Sequence, residues 1–386
     1  MKQDPYNHKE RYLNWRKNAE EKGVFDITKE NSEIILQYLD DMENGINVAQ
    51  GSIKGGRSYI RLNSLREKTR FFARKFKELY NLDKMTDVSE EQLCIFCSGL
   101  RKGTIRRRDG TQYQAPEYFA ITFKAFWHWW TRHNKKKGIE IQDITLDLDT
   151  KGEKPRWVYL TEEQIKLLCN QAKYEYKVLI MFLFDTGIRS PTELINVKVS
   201  DLYNGCKELN IRDEISKTFG RRIKLMLCSD LLKEYIKLHN LSKEDYLFSI
   251  KPPNTNRYLR RLGKRVLGDK QSPAGQKYSE LTMYDFRHCS CCYWLPRYKS
   301  ELALKFRFGW KKSDKIHYYS EMLGMKDTIS EEDMLVDVTK TELELQLQKT
   351  NNEKEILQER VTSMEAQMQQ VMDLVKSLKN GILATN

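Results

Sequence analysis

The chain divides at residues 138–156, where large apolar residues are not clustered and where residues 150–155 (TKGEKP) are typical of a turn. On either side of this stretch, apolar residues recur at the spacing of amphipathic helices, so each side can build its own hydrophobic core. At about 150 residues per domain, the 386 residues allow two to three domains. We therefore predict a linker over residues 138–156 between two folded domains.

The part before the linker is predicted to be a helical domain over residues 26–137, preceded by a polar arm at residues 1–25. Thr28 and Ser89 stand where helix N-caps are expected, ahead of amphipathic stretches. Residues 101–113 (RKGTIRRRDGTQY) hold turn residues and a basic run, which indicates a loop or hairpin. Helices are expected at residues 26–44, 58–80, 89–100 and 115–133.

The part after the linker, residues 157–325, combines helices with short β-like pieces. Thr161 and Gln164 form a capping-box pattern, and the strongly apolar residues 173–186 form the next helix. This mixture predicts a mainly α fold with a small β-sheet, in which the second domain is of mixed α+β type. The β-like pieces are residues 197–202, 208–211 and 222–227, and further helices are expected at residues 230–239, 255–267 and from 282 onward.

Residues 326–386 form an acidic tail with a heptad repeat. Between Val336 and Leu378, ten of the thirteen seam positions are apolar, which favours a coiled coil over a surface helix. A helix folded back on the preceding domain is the alternative. The firmest seam positions are Leu357, Val361, Met364, Met368 and Val371.

The charge of the chain is strongly uneven. Lys and Arg exceed Asp and Glu by 13 over the whole sequence, and the segment from Lys326 onward contributes −5, so residues 1–325 carry +18. A basic body with a separate acidic tail favours nucleic acid as the partner. A basic surface that serves solubility alone is the alternative.

The sequence also predicts where the protein works. No stretch reaches the ~18 apolar residues of a membrane-spanning helix, and the N-terminus has no hydrophobic signal region. Eight cysteines without a signal peptide indicate reduced intracellular thiols. Cys289, Cys291 and Cys292 crowd beside His288, which is compatible with a metal site but more typical of buried thiols. We expect a cytoplasmic, nucleoid-associated protein with no membrane partner.

Two polar motifs follow the apolar helix of the second domain. The first, DTGIR, ends in Arg189, and Glu193 stands four residues later. A guanidinium held after a tight glycine turn presents a rigid fork suited to phosphate, although an Arg–Glu pair could also brace a helix junction. The second motif, SKTFGRR, lies between two β-like pieces and places Lys217 near a hairpin tip, where a lysine is usually only solvated.

Three further motifs occur near the end of the second domain. Tyr284 and Arg287 are three residues apart at the start of a helix and therefore share a face. Gly309 and Trp310 follow, and then a tyrosine pair, Tyr318 and Tyr319.

These five motifs together resemble the blocks of the tyrosine recombinase (phage integrase) family. They stand here as TGIRSPTEL, SKTFGRR, YDFRH, GW and HYYSEM, in the family's order. The family's tyrosine lies about ten residues after the block glycine, which points to Tyr319 rather than Tyr318 as the nucleophile. The resemblance spans residue 26 to about residue 325 and implies a helical core-binding domain followed by a catalytic domain. The GW form looks closest to archaeal integrases.

The resemblance implies an enzyme that breaks and rejoins DNA without metal or other cofactor. Tyr319 would form a 3′-phosphotyrosyl link, Arg189 and Arg287 would hold the phosphate, and Lys217 would protonate the leaving 5′-oxygen. Trp310 and Tyr284 would donate hydrogen bonds, and His288 would brace the site. The implied partners are double-stranded DNA at a specific site and further copies of the chain, usually a tetramer on two sites.

Two positions depart from the family pattern. Tyr284 stands where a histidine is usual, and a phenol with a pKa near 10 is a poor general base. Glu193 comes one place later than usual. A catalytically degenerate DNA-binding regulator therefore stays an alternative to a site-specific recombinase, as does type IB topoisomerase activity.

We expect the duplex to be contacted by basic residues of the helical domain, mostly at phosphates. The alternative is that these charges only solvate a helix face. The candidates are Arg66, Arg70, Arg74, Arg106, Arg107, Arg108 and Lys135.

Overall fold

A computed structural model describes residues 3–46, 55–152, 154–298 and 300–323, and single positions between 347 and 368. The chain divides into two compact units, Met1–Met322 and Leu323–Asn386. The mainly helical fold with a small sheet confirms the predicted fold class.

The first half of the larger unit is helical and has a hydrophobic cluster of its own, drawn from residues 12–148. The side chain of Thr28 accepts a hydrogen bond from the amide of Asn31, and Ser89 and Gln92 form a full capping box, so both predicted caps are confirmed. Phe72, Phe96 and Phe123 are buried at its centre with ring centroids 4.8–5.8 Å apart. The helices are α1 His8–Lys22, α2 Lys29–Glu43, α3 Tyr59–Tyr80, α4 Glu90–Lys102 and α5 Glu117–Lys135.

Helix α1 lies where the sequence predicted a polar arm. Tyr12 on this helix is fully buried, and its ring lies 5.7 Å from that of Tyr59 on α3. The carboxylate of Asp4 accepts a hydrogen bond from the amide of His8 at 2.6 Å and so satisfies a donor at the start of the helix. Tyr12, Trp15 and Ala19 alone form the apolar side of α1, and this sparse stripe gave no clear helical signal.

The basic run between α4 and α5 forms a short hairpin, one of the two predicted alternatives. Arg106 and Gln112 pair as an antiparallel bridge, and the amide of Arg107 donates to the carbonyl of Thr111. The loop thereby holds three consecutive arginines in a defined turn.

The second half of the larger unit surrounds a three-stranded antiparallel sheet in the order β1–β2–β3. Leu202 pairs with Leu209, and Ile211 pairs with Arg221. The predicted piece at 197–202 is a strand only from Leu202, because single 3₁₀ turns occupy Leu194–Asn196 and Val199–Asp201. The elements are α6 Glu162–Gln171, α7 Tyr174–Thr186, β1 Leu202–Tyr203, β2 Glu208–Ile211, β3 Arg221–Lys224, α8 Ser229–Leu238, α9 Pro252–Leu267, α10 Asp285–Trp294, α11 Glu301–Phe308 and α12 Asp314–Leu323.

One buried carboxylate ties several of these elements together. Asp185, near the end of α7, accepts hydrogen bonds from the amides of residues 226–228 ahead of α8. Its other oxygen pairs with Arg307 of α11 at 2.8 Å, and its backbone carbonyl accepts from the indole of Trp294 on α10. The C-terminal ends of α7, α10 and α11 are thus held next to one another, and the motifs of Arg189 and Gly309 lie directly after α7 and at the end of α11.

The described positions of the tail are helical, and five predicted apolar seam positions there are exposed, as are the polar seam positions Thr350 and Lys354. The remaining seam positions, including Val336, Val371 and Leu378, lie outside the described residues. Across the described part of the chain, no helix has the length and apolar character to cross a membrane. The exposed apolar seam positions are Leu347, Leu357, Val361, Met364 and Met368.

Candidate active site

A tight turn at the end of α7 sets the direction of the first motif. Gly187 has a φ of +56° and its amide donates to the carbonyl of Leu183, so it ends the helix in the left-handed conformation. A Cβ at this position would overlap the ring of Phe308. Only glycine therefore allows α7 and α11 to approach this closely, and the turn directs Arg189 toward Gly309.

Arg189 is held by a carboxylate and a backbone carbonyl. Its Nη1 donates to Glu193 at 2.6 Å, and its Nη2 donates to the carbonyl of Gly309 at 2.7 Å. The backbone amide of Arg189 also donates to Glu193. The guanidinium is therefore fixed in orientation before any ligand binds.

Glu193 holds a second arginine that the sequence analysis did not single out. Arg221, at the start of β3, donates from Nη2 to Glu193 at 2.9 Å, and both side chains are fully buried. Burial raises the pKa of Glu193, but the hydrogen bond and charge of Arg221 and the charge of Arg189 outweigh it and lower the pKa to about 2. The carboxylate is ionised at neutral pH and balances two guanidinium groups.

Gly309 is the point at which the motifs meet. Its φ is +62°, and a Cβ there would lie 2.9 Å from Nη1 of Arg221 and 3.1 Å from Nη1 of Arg189. Its carbonyl accepts from Arg189 and also from the hydroxyl of Thr218 at 2.8 Å. Lys217, next to Thr218, is exposed, so its hairpin is anchored at the site while its amine faces solvent.

Arg287 approaches the same turn from α10. It is 4% exposed and donates to the carbonyls of Gly187 and, at 2.6 Å, Phe308. Its guanidinium lies 5.9 Å from the ring centre of Trp310. Burial and the nearby charge of Arg189 lower the pKa of Arg287, as expected for two neighbouring cations.

Tyr319 on α12 is packed into the site. It is 3% exposed, and its ring is stacked at 6.0 Å and 10° on Trp310. Its hydroxyl is hydrogen-bonded to Nδ1 of His288. Burial raises the pKa of Tyr319 well above its ordinary value.

The two adjacent tyrosines have different surroundings. The hydroxyl of Tyr318 accepts from the indole of Trp157 at 2.8 Å and donates to the carbonyl of Pro155 at 2.9 Å. Tyr318 is therefore hydrogen-bonded to the end of the predicted linker and to the residue after it, whereas Tyr319 faces the arginine-bearing turn through Trp310.

The predicted catalytic residues are placed around residues 308–310, some directly and some through neighbours. Trp310 is one of these residues, and Arg189, Arg287 and Tyr319 contact them directly. Tyr284 is 44% exposed, and its ring lies 5.2 Å from that of His288. Lys217 reaches it only through its neighbour in the hairpin.

The predicted DNA contacts on α3 are engaged within the protein. Arg66 is buried, donates to the carbonyl of Arg11 at 3.2 Å and lies 5.0 Å from the ring of Trp15 on α1. Arg70 donates to the carbonyl of Phe25, and Arg74 pairs with Asp26 at 3.6 Å. The arrangement leaves Arg66 little surface for a phosphate, because α1, which was not predicted, covers it.

The remaining predicted contacts are at the surface. Arg106 donates to the carbonyl of Gly103, and Arg107 lies 5.6 Å from the ring of Tyr113. Arg108 at the hairpin tip and Lys135 at the end of α5 are exposed.

Helix α9 carries a basic stripe that the sequence analysis missed. Five exposed cations recur at i, i+3, i+4, i+7 and i+8, while Leu259 and Leu262 on the opposite side are buried. Charge periodicity was the signal that could have found this face. The stripe consists of Arg257, Arg260, Arg261, Lys264 and Arg265.

The cysteine-rich segment of α10 packs as apolar side chains. Cys289, Cys291 and Cys292 are buried, and burial raises the pKa of each thiol. Among the described residues, no group of three or more His, Cys, Asp or Glu side chains could hold a metal ion.

Residues 158–323 match the model of the phage integrase family. No curated protein sequence matches the chain. The Tn1549 transposon integrase in complex with circular intermediate DNA is 13% identical, with a TM-score of 0.53 over 76% of this chain and 95% of that chain. A lambda integrase dimer bound to a COC′ core site is 13% identical, with a TM-score of 0.56 over 76% of this chain and 96% of that chain.

A lambda integrase tetramer bound to a Holliday junction is 12% identical, with a TM-score of 0.54 over 81% of this chain and 80% of that chain. These likenesses establish a shared fold, that of the tyrosine recombinase catalytic domain. They do not support the archaeal-type subgroup expected from the GW motif.

Proposed function

We propose that the protein is a site-specific DNA recombinase, an integrase, which cleaves and rejoins DNA strands through a 3′-phosphotyrosyl intermediate. One observation carries the proposal. Arg189 and Arg287 donate to the carbonyls of Gly309 and Phe308, and Tyr319 stacks on the next residue, Trp310. Two cations and a phenol from separate motifs thus converge on three consecutive residues.

The two arginines suit the charge that develops in phosphoryl transfer. Attack on a phosphodiester places negative charge on the non-bridging oxygens, and prearranged donors stabilise that charge. Arg189 and Arg287 are fixed by carbonyls, and Arg189 also by Glu193, so they need little reorganisation. Trp310 and Tyr284 contribute neutral donors at the edge of the site.

Attack by the Tyr319 oxygen on phosphorus forms the tyrosyl ester and breaks the bond to the 5′-oxygen. The exposed amine of Lys217 delivers a proton to that leaving oxygen. A 5′-hydroxyl of a second strand then attacks the tyrosyl ester and regenerates Tyr319. The energy of the phosphodiester bond is retained throughout, so joining needs no nucleotide cofactor.

Duplex DNA is the proposed partner because the charge of the folded body is strongly positive. Residues 1–325 carry +18, and the α9 stripe and the hairpin at residues 106–108 expose basic side chains. The Tn1549 and lambda integrases named above were solved with DNA, the latter as a dimer and a tetramer. We propose a multimer on two sites for this chain as well.

The test is covalent trapping followed by strand joining. Direct repeats in the DNA flanking the gene supply the site, and a nick beside the cleavage position lets the short 5′-hydroxyl fragment diffuse away. A covalent protein–DNA adduct excludes a DNA-binding regulator, which the exposed Tyr284 in place of histidine would otherwise favour. Joining between two sites separates a recombinase from a type IB topoisomerase, which would reseal only its own strand.

A further inference from the structure

The reaction proposed above needs a group that takes the proton of Tyr319, and Tyr284 is poorly suited to that task. The resemblance places a histidine at position 284, where this chain has a phenol that is 44% exposed. A phenol that carries its own proton has no basic site with which to accept another at neutral pH. The ring of Tyr284 packs against that of His288, 5.2 Å away.

His288 lies one helical turn beyond Tyr284 and contacts the reacting oxygen directly. Residues 284 and 288 are spaced i, i+4 and therefore share one face of the α10 region. Nδ1 of His288 is hydrogen-bonded to the hydroxyl of Tyr319. A neutral imidazole nitrogen can accept a proton and release it again, which suits a general base.

The imidazole is held in orientation by aromatic neighbours. Its ring is stacked on Trp157 at 4.7 Å and 27°, and the ring of Tyr284 meets it edge-on at 5.2 Å. Trp157 also lies edge-to-face with Tyr319 at 6.1 Å, so one indole positions both the base and the phenol. A side chain packed in this way keeps Nδ1 directed at the hydroxyl.

We propose that His288 is the general base of DNA cleavage, with Nδ1 accepting the Tyr319 proton as the phenolic oxygen attacks phosphorus. The proposal rests on the recombinase function. The O–H bond of Tyr319 breaks, the oxygen–phosphorus bond forms, and the leaving 5′-oxygen takes its proton from Lys217. In rejoining, the imidazolium returns the proton to the Tyr319 oxygen as that oxygen leaves.

The burial of Tyr319 explains why a base is needed. Removal from water raises the pKa of this phenol, so the free phenolate is scarce at neutral pH. Proton transfer during attack avoids forming an isolated buried anion. The base has thus moved from position 284 to position 288 without leaving its helix face.

The test measures the rate of covalent adduct formation on the nicked duplex with the full-length protein. His288→Ala should slow it by about 10²–10⁴, the usual contribution of a general base. His288→Asn keeps a hydrogen-bonding group near the Nδ1 position but cannot take up a proton, so it should be similarly slow while preserving packing. His239→Ala, an exposed histidine after α8, is the control and should react at the unaltered rate.

An altered tyrosine at position 319 distinguishes a general base from a residue that only holds Tyr319 in place. A more acidic phenol, 3-fluorotyrosine at position 319, should restore the His288→Asn rate by about tenfold or more, because it depends less on a base. It should not accelerate the unaltered protein. A 5′-bridging phosphorothioate substrate, which needs no protonation of its leaving group, should rescue Lys217→Ala and not His288→Asn.

The outcomes decide whether His288 is the general base and, separately, whether the protein is a recombinase. An unaltered rate in His288→Asn, or a slow rate that 3-fluorotyrosine does not recover, would overturn the assignment of His288 as base. Rescue of His288→Asn by the phosphorothioate would instead indicate that His288 assists the departure of the 5′-oxygen. Absence of any adduct in the unaltered protein would reject the recombinase function itself, independently of His288.

Discussion

Glu193 is the single carboxylate through which Arg189 and Arg221 are neutralised in the described part of the site. It is fully buried, and its pKa is lowered to about 2 from 4.5 because the hydrogen bond and charge of Arg221 outweigh the cost of burial. A carboxyl group whose pKa is lower in the folded state stabilises the fold above its unfolded pKa. That stabilisation is present above about pH 4.5 and is lost as the pH falls toward 2.

We predict that Glu193→Gln lowers the free energy of unfolding at pH 7 by about 3–5 kcal/mol, because it leaves buried guanidinium charge without a counterion. Urea denaturation measures the loss, and the gap to the unaltered protein should narrow below about pH 4.5, because Glu193 of the unfolded chain then takes up a proton that the folded protein excludes. The matched control is Glu208→Gln, whose partner Arg222 is half exposed; it should lose at most about 1 kcal/mol. Equal losses in both variants would show that burial of the pair does not matter.

We predict that substitutions of Arg189 and of Lys217 slow cleavage for different reasons. Arg189→Ala should slow cleavage by about 10²–10³, as for loss of one prearranged donor, and a 5′-bridging phosphorothioate should not restore it. Lys217→Ala should be slow on ordinary DNA and fast on the phosphorothioate, because a sulfur leaving group departs without a proton. Adduct formation on both substrates measures this, and rescue of both variants, or of neither, would refute the two roles.

At the residue scale, the sequence predicted the motif residues but not all of their partners. Spacing from Gly309 singled out Tyr319, which the structure places against Trp310. The partner of its hydroxyl, His288, is 31 positions away, and Arg221 is 28 positions from Glu193. Such pairs depend on how α10, α12 and the sheet pack together, which periodicity does not specify.

At the scale of elements, α9 carries exposed cations on one face. All five are exposed, although Arg265 also donates to the carbonyl of Gln171, whereas Arg66, Arg70 and Arg74 of α3 are buried or half-buried and are paired within the protein. The prediction for α3 was based on its number of basic residues, because the sequence does not show that α1 and residues 25–26 contact them. The N-caps of α2, α4 and α6 were predicted correctly because capping is local, whereas α1 is fixed mainly by the burial of Tyr12.

We predict that replacing Arg257, Arg260 and Arg261 by Gln weakens duplex binding at every sequence, because phosphate contacts are lost. The slope of log affinity against log salt should become shallower by about 0.9 for each contact removed. Fluorescence anisotropy over a salt series measures both effects. Replacing Lys233, Lys237 and Lys243 by Gln removes the same charge from exposed positions on and after α8; if this control weakens binding equally, net charge and not the α9 face is responsible.

At the scale of the whole molecule, the body (residues 1–325) and the tail (from Lys326 onward) carry net charges of opposite sign. Residues 1–325 carry +18 and the segment from Lys326 carries −5, so phosphate repels the tail and attracts the body. The described seam positions Leu357, Val361, Met364 and Met368 are exposed and apolar. We propose that the tail joins copies of the chain as a coiled coil, which recombination between two sites would use.

Truncation after Ser330 should therefore leave cleavage of a single site largely intact while it reduces self-association and two-site joining. Sedimentation velocity and a joining assay measure these effects. In the full chain, Leu357→Glu with Val361→Glu should act like the truncation, whereas Gln358→Glu with Thr362→Glu, which adds the same charge off the seam, should not. A truncated protein that sediments and joins like the full chain would remove the tail from the mechanism.

The most direct test of the whole account is to identify the residue that becomes linked to DNA. The trapped adduct is digested and the peptide carrying the 3′-phosphate is sequenced by mass spectrometry, beside Tyr319→Phe and Tyr318→Phe. We predict that the DNA is attached to Tyr319 and that Tyr319→Phe binds the duplex but forms no adduct. Attachment to Tyr318, or an adduct that persists in Tyr319→Phe, would contradict it.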